Sequence, residues 1–164
     1  MISYKPVIFV VEDDPIFNKL ISRYLSSNIN CEVHSFYLGE DCMEAINNLD
    51  KKPDIILQDY ELPFQNGIEV MQYVKKKYPE TIFIFLSGQG NIKVAVNALH
   101  EGAYDYIVKD AYAKENALNK IDQALRLRFL EKSNKYNKLS TNILIGLVIV
   151  SWTLLLLYYF LMAK

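Results

Sequence analysis

A doubly wound α/β fold, in which five parallel strands alternate with helices, is predicted by the order of apolar segments along this chain. Three observations carry the expectation. Short runs rich in β-branched or aromatic residues recur at 7–11, 31–36, 54–58, 82–86 and 104–108. Stretches with apolar residues at helical spacing follow each of them. Three of the five runs are apolar nearly throughout, as befits strands covered by helices on both faces, and right-handed crossovers then complete a parallel sheet.

The first run leads at once into Glu12, Asp13, Asp14 and Pro15, and then into a helix with Ile16, Leu20, Ile21, Tyr24 and Leu25 as its apolar stripe. Asp14 is the expected cap of that helix, because a carboxylate just before a first-turn proline accepts the free amides. A weakly alternating strand at 31–36 precedes a helix over 39–49, marked by Cys42, Ala45, Ile46 and Leu49. The third strand, 54–58, stands between Pro53 and Asp59, and the next helix begins near Gly67 with Val70, Met71 and Val74 on its stripe. The run at 82–86 is the most hydrophobic of the body. Gly88, Gln89 and Gly90 open the loop after it, ahead of a helix carrying Val94, Ala95, Ala98 and Leu99. Past the fifth strand a long helix starts near Ala111, and its packing face holds Ala117, Leu118, Ile121, Ala124 and Leu125.

Composition bounds the function classes. With 18 basic and 19 acidic residues the formal net charge is −1, so nothing global points to a nucleic-acid partner. Cys31 and Cys42 have no CxxC or His cluster around them, which predicts buried apolar residues rather than a zinc site or a disulfide. His34 and His100 lack a partner pattern and are expected to be structural. No charged leader precedes the first strand, so the body is expected to stay in the cytoplasm.

Ligands of open parallel sheets sit outside the carboxyl ends of the strands, at the topological switch point. Those ends carry Glu12, Asp13 and Asp14 after the first strand, Asp59 after the third, Ser87 after the fourth and Lys109 after the fifth. Carboxylates crowded at one edge repel one another unless a divalent cation or a lysine compensates. Mg²⁺ is the economical choice, since it takes oxygen ligands from one or two carboxylates, water and phosphate. The edge is therefore expected to serve phosphate chemistry.

These residues resemble the receiver domains of response regulators in two-component signalling. The likeness rests on VVEDDP at 10–15, DYELPFQNG at 59–67, FLSG at 85–88 and DYIVK at 105–109, and it spans most of a domain placed at 1–127. It implies a flavodoxin-like (βα)5 fold in which Asp59 is the phosphoacceptor, becoming 4-aspartylphosphate at the expense of a phosphohistidine on a histidine kinase or phosphotransfer protein. It further implies that Glu12, Asp13 and Asp59, with the backbone carbonyl of Glu61, hold Mg²⁺. Lys109 would pair first with the Asp59 carboxylate and later with a phosphoryl oxygen. Ser87 would turn toward that oxygen and vacate space for Tyr106, a coupled switch. No enzymatic activity is implied beyond self-catalysed phosphoryl transfer and dephosphorylation. Glu61 and Gln89 occupy positions that tune hydrolysis in the family. Asp110 departs from the pattern, standing where a proline is usual.

Two other readings fit parts of the sequence. A haloacid-dehalogenase-like, Mg²⁺-dependent phosphatase also uses a nucleophilic Asp on a doubly wound sheet, but after the first strand, where this chain has Glu12 and Asp13. A phosphorylation-independent membrane adaptor would keep the fold without the chemistry, and intact Asp13, Asp59 and Lys109 weigh against it.

Beyond the body, 128–142 reads as a basic helical linker, with Arg128, Lys132, Lys135 and Lys138 opposed by Glu131. The 21 residues at 143–163 carry no charge. At 1.5 Å per residue such a helix spans about 31 Å, the thickness of a bilayer core, so a single-pass transmembrane helix is expected. The basic stretch places the receiver on the cytoplasmic side, with Tyr158 and Tyr159 nearing the far interface. Roughly 30 residues between Lys109 and the span leave no room for a DNA-binding domain. Output is therefore expected through an unknown downstream protein at the membrane, not through nucleic acid.

Overall fold

The computed structural model describes residues 4–48, 52–88 and 92–162, apart from the side chains at 92, 135, 139, 154–157, 160 and 161. Along the chain run β1 (Val7–Val11), α1 (Pro15–Asn28), β2 (Glu32–Phe36), α2 (Gly39–Asn48), β3 (Ile55–Asp59), β4 (Glu61–Leu62), β5 (Gln65–Asn66), α3 (Gly67–Lys77), β6 (Ile82–Ser87), α4 (Ile92–His100), β7 (Asp105–Val108) and α5 (Ala113–Met162).

Five strands pair in the order β2-β1-β3-β6-β7, all parallel. This is the expected doubly wound sheet. β1 and β3 are buried along their whole length because they lie inside it, whereas β2 and β7 are the edges and carry the polar residues Glu32, His34 and Asp105. Phe9, Ile56, Phe83 and Phe85 pack on one face with Cys42, Ile46, Val70, Met71, Val74 and Ala98 of α2, α3 and α4. Strand alternation turns Ile8, Val10, Ile55, Leu57, Ile84 and Leu86 to the opposite face, and Ile21, Leu25, Ala117 and Ile121 of α1 and α5 are likewise buried. Both cysteines are free and buried, as expected. His34 is held structurally, with Nε2 2.9 Å from Glu32 Oε1 and its ring against Phe9.

Three details differ from the sequence expectation. β3 and β6 each reach one residue further, so Asp59 and Ser87 are carried on strands instead of loops. β4 and β5 form an antiparallel hairpin, Leu62 opposite Gln65, around a Pro63-Phe64 turn that hydrophobic patterning cannot register. The buried face of α1 is Asn18, Ile21 and Leu25, while Ile16 and Leu20 are exposed. Asn18 displaces them because its amide is spent on buried backbone: Nδ2 donates to Glu12 O at 3.0 Å and to Phe36 O at 2.9 Å.

The chain divides into two compact units, Met1–Asp122 and Gln123–Lys164. In the second, the described apolar residues Ile143, Leu144, Val148 and Ile149 are exposed. Among the described residues no helix is long and apolar enough to cross a membrane. The span expected at 143–163 falls in part on positions outside that description, namely the side chains at 154–157, 160 and 161 and residue 163.

Candidate functional site

The sheet order reverses between β1 and β3, and their carboxyl ends deliver Glu12 and Asp59 to that crevice. Both side chains are almost wholly buried. Glu12 is fastened by its own amide, which donates to Phe36 O at 3.0 Å, and by Asn18 beneath its carbonyl. Asp59 is fastened through the turn after it, where Glu61 N donates to Asp59 Oδ1 at 3.1 Å and Tyr60 N to Leu86 O at 2.8 Å.

Lys109 closes the site from the residue just past β7, the edge strand of the sheet. Its amide donates to Ser87 O at 2.8 Å, and its ammonium reaches Asp59 Oδ2 at 2.5 Å and Glu12 at 2.7 Å. Asp13 is exposed, yet a carboxylate oxygen from each of Glu12, Asp13 and Asp59 lies within 4.8 Å of the others. Three carboxylates against one ammonium leave a formal excess of two negative charges, the charge of one divalent cation. Hard oxygen donors in that number suit Mg²⁺.

Electrostatics reflect the crowding. Burial first, and then the neighbouring Asp59, push Glu12 up to about 7 against the pull of Lys109. Burial likewise raises Asp59 although Lys109 opposes it. Lys109 is depressed by burial, but its hydrogen bonds to Asp59 and Glu12 outweigh that and leave it above the usual lysine value.

The residues expected at the strand ends are thus brought together for Glu12, Asp13, Asp59 and Lys109. Ser87 is buried at the end of the neighbouring strand, where Leu86 stands opposite Asp59. Tyr106 is half-buried opposite Phe85 and packs against the core cluster. The Glu61 carboxylate is no member of the acidic cluster. Asp14 stands apart as the cap of α1, accepting from Ile16 N at 2.8 Å and Phe17 N at 3.3 Å. Asp110 begins a turn, its carboxylate accepting from Tyr112 N at 2.8 Å. Gln89 lies outside the described residues. Sequence reasoning missed Asn18 and Gln58, the two buried amides behind Glu12 and Asp59. For Asn18 a signal existed, since it sits three and seven residues before the buried Ile21 and Leu25.

Known proteins place this arrangement. A family model described as the response regulator receiver domain matches residues 8–122. The luminescence regulatory protein LuxO of Vibrio campbellii is 31% identical over 122 residues, covering 73% of this chain and 26% of that protein. A protein-glutamate methylesterase/protein-glutamine glutaminase of Clostridium acetobutylicum is 34% identical over 130 residues, covering 77% of this chain and 37% of the relative. The chain thus spans only about a quarter to somewhat over a third of these relatives. Among solved structures, the BeF3-activated receiver domain of DrrB from Thermotoga maritima superposes with a TM-score of 0.67 at 26% identity, over 75% of this chain and 99% of that one. Because the family match runs from β1 into the first turns of α5 and takes in every strand of the five-stranded sheet, this chain belongs to the receiver domains of two-component response regulators, which are phosphoacceptors.

Proposed function

We propose that Asp59 accepts a phosphoryl group from the phosphohistidine of a histidine kinase or phosphotransfer protein, and that the chain does so while anchored in a membrane by 143–163. The observation that carries the first part is the Lys109 ammonium, 2.5 Å from Asp59 and 2.7 Å from Glu12, at the centre of the strand-end cluster.

In this reading a carboxylate oxygen of Asp59 attacks phosphorus, the phosphorus–nitrogen bond of the donor breaks, and the imidazole leaves as the neutral ring once protonated. Glu12, Asp13 and Asp59, with the Glu61 carbonyl, are the residues that would hold Mg²⁺. The ion would neutralise charge developing on the phosphoryl oxygens. Lys109 gives up its contact with the attacking carboxylate and moves to a phosphoryl oxygen, which keeps a positive charge beside the negative one throughout. Ser87 supplies a hydroxyl able to rotate toward the new group, and Tyr106 follows into the space it leaves. Water attack on the same phosphorus later returns Asp59 to the free carboxylate.

Support for the anchor is the uncharged stretch 143–163 and the basic residues before it. Incubation with acetyl phosphate and Mg²⁺, followed by intact mass, tests the chemistry. Wild type should gain one phosphoryl group that alkali removes, and D59N should gain none while remaining folded. Phosphorylation that persists in D59N overturns the assignment.

A further inference from the structure

Gln58 immediately precedes the acceptor and is fully buried on β3, in register with Val11 and Phe85. Such surroundings suit an apolar side chain. The amide instead spends one donor on the backbone, Nε2 to Asp59 O at 3.2 Å, and its Oε1 has no partner among the described residues. An unpaired buried acceptor works against folding. Isosteric apolar residues would avoid that cost, so a glutamine here invites a reason other than stability.

The geometry points to Gln58 as a positioning residue for the metal-binding turn. Asp59, Tyr60 and Glu61 form that turn, and four hydrogen bonds hold it. Glu61 N binds Asp59 Oδ1, Tyr60 N binds Leu86 O, Gly67 N binds Tyr60 O at 3.1 Å, and Gln58 Nε2 binds Asp59 O. The first three fix the acceptor carboxylate and the peptides after it. Only the last grips the carbonyl of Asp59 from a side chain, and so sets the tilt of the peptide plane that leads toward the Glu61 carbonyl. The slot is tight: a Cβ on Gly67 would lie 2.5 Å from Asp59 O and 3.2 Å from Gln58 Cγ. Gln58 and the Asp59 carbonyl therefore have little room to shift separately.

This inference rests on the phosphoacceptor reading and adds to it a residue that acts through Asp59 and Glu61 without touching the ion. Q58M keeps the volume of the side chain and removes both the donor and the acceptor of its amide, and Q58L serves as the second variant. Full-length protein in detergent would be titrated with Mg²⁺ by calorimetry, melted without metal, and phosphorylated with acetyl phosphate at low and at saturating Mg²⁺. Both variants should bind Mg²⁺ about tenfold more weakly, the scale found for residues that orient metal ligands. Phosphorylation should be slowed at low Mg²⁺ and recover at saturation, and the metal-free melting temperature should stay level or rise. Mg²⁺ affinity within about twofold of wild type in the folded variants overturns the role. So does a loss of affinity that comes only with a lower melting temperature, since that is packing. A wild type that neither binds Mg²⁺ nor takes phosphate sinks the phosphoacceptor reading itself, which a wild-type-like Q58M leaves intact.

Discussion

Glu12 shows how a single buried carboxylate can couple folding to pH. Its value in the folded domain, about 7, lies above the ordinary 4.5, first because of burial and then because of Asp59. A raised acid contributes stability that is fully present below its unfolded value and is lost as pH rises through the folded one. The metal-free domain should therefore lose stability between about pH 4.5 and pH 7, by at most about 3 kcal/mol from this group. Asp59 shifts in the same direction and reinforces the trend. Urea midpoints of the EDTA-treated protein at pH 5 and pH 8 would show it; E12Q should flatten the difference, and a midpoint that rises with pH in wild type alone would contradict the assignment. Phe64 offers a second test at this scale. It is 92% exposed with φ 67°, the left-handed position that a turn after Pro63 ordinarily assigns to glycine. F64G should stabilise the domain by about 1 kcal/mol, read as a raised chemical-denaturation midpoint, because it relieves a conformation costly for any residue with a Cβ.

Among the elements, α3 is the one whose start is dictated by the site. Its first residue, Gly67, lies so close beneath β3 that an added Cβ would come within 2.5 Å of Asp59 O and 2.8 Å of Phe85. The nearer of the two is backbone, which cannot swing away as a flexible side chain would. G67A should accordingly destabilise the domain by about 2 kcal/mol or more and lower the rate of phosphorylation by acetyl phosphate, since the acceptor strand must move. A variant with wild-type stability and rate would show that α3 relaxes freely. α1 is set differently. Asp14 caps it and Asn18 ties it to the ends of β1 and β2, so its inward face is decided by hydrogen bonds as much as by apolar residues.

At the scale of the molecule, chemistry and anchor should be separable. All five strands of the parallel sheet and the acidic cluster fall within the unit Met1–Asp122, and the charge-free stretch falls within Gln123–Lys164. A chain ending at Lys138 should be soluble and accept phosphate on Asp59 at the wild-type rate. Full-length protein should sediment with membranes and resist extraction by salt or alkaline carbonate, because burial of an apolar helix does not depend on exposed charges. Recovery of the full-length chain in the supernatant after ultracentrifugation would rule out the anchor.

The alternation of apolar runs and helical stripes was enough to read the sheet, because strands buried on both faces leave an unbroken hydrophobic signature. Glu12, Asp13, Asp59, Ser87 and Lys109 were legible for a related reason: in a parallel sheet every residue after a strand lands at the same edge. Tertiary contact alone settled the rest. Ile16 and Leu20 match a helical period as well as Ile21 and Leu25, yet they face outward, because only packing shows that Asn18 must reach the carbonyls of Glu12 and Phe36. Gln58 looks like any polar residue in a short strand until its neighbours on β1 and β6 enclose it. The distances that join Lys109 to Glu12 and Asp59 link positions 97 and 50 residues apart, and such separations are closed by the fold and not by local pattern.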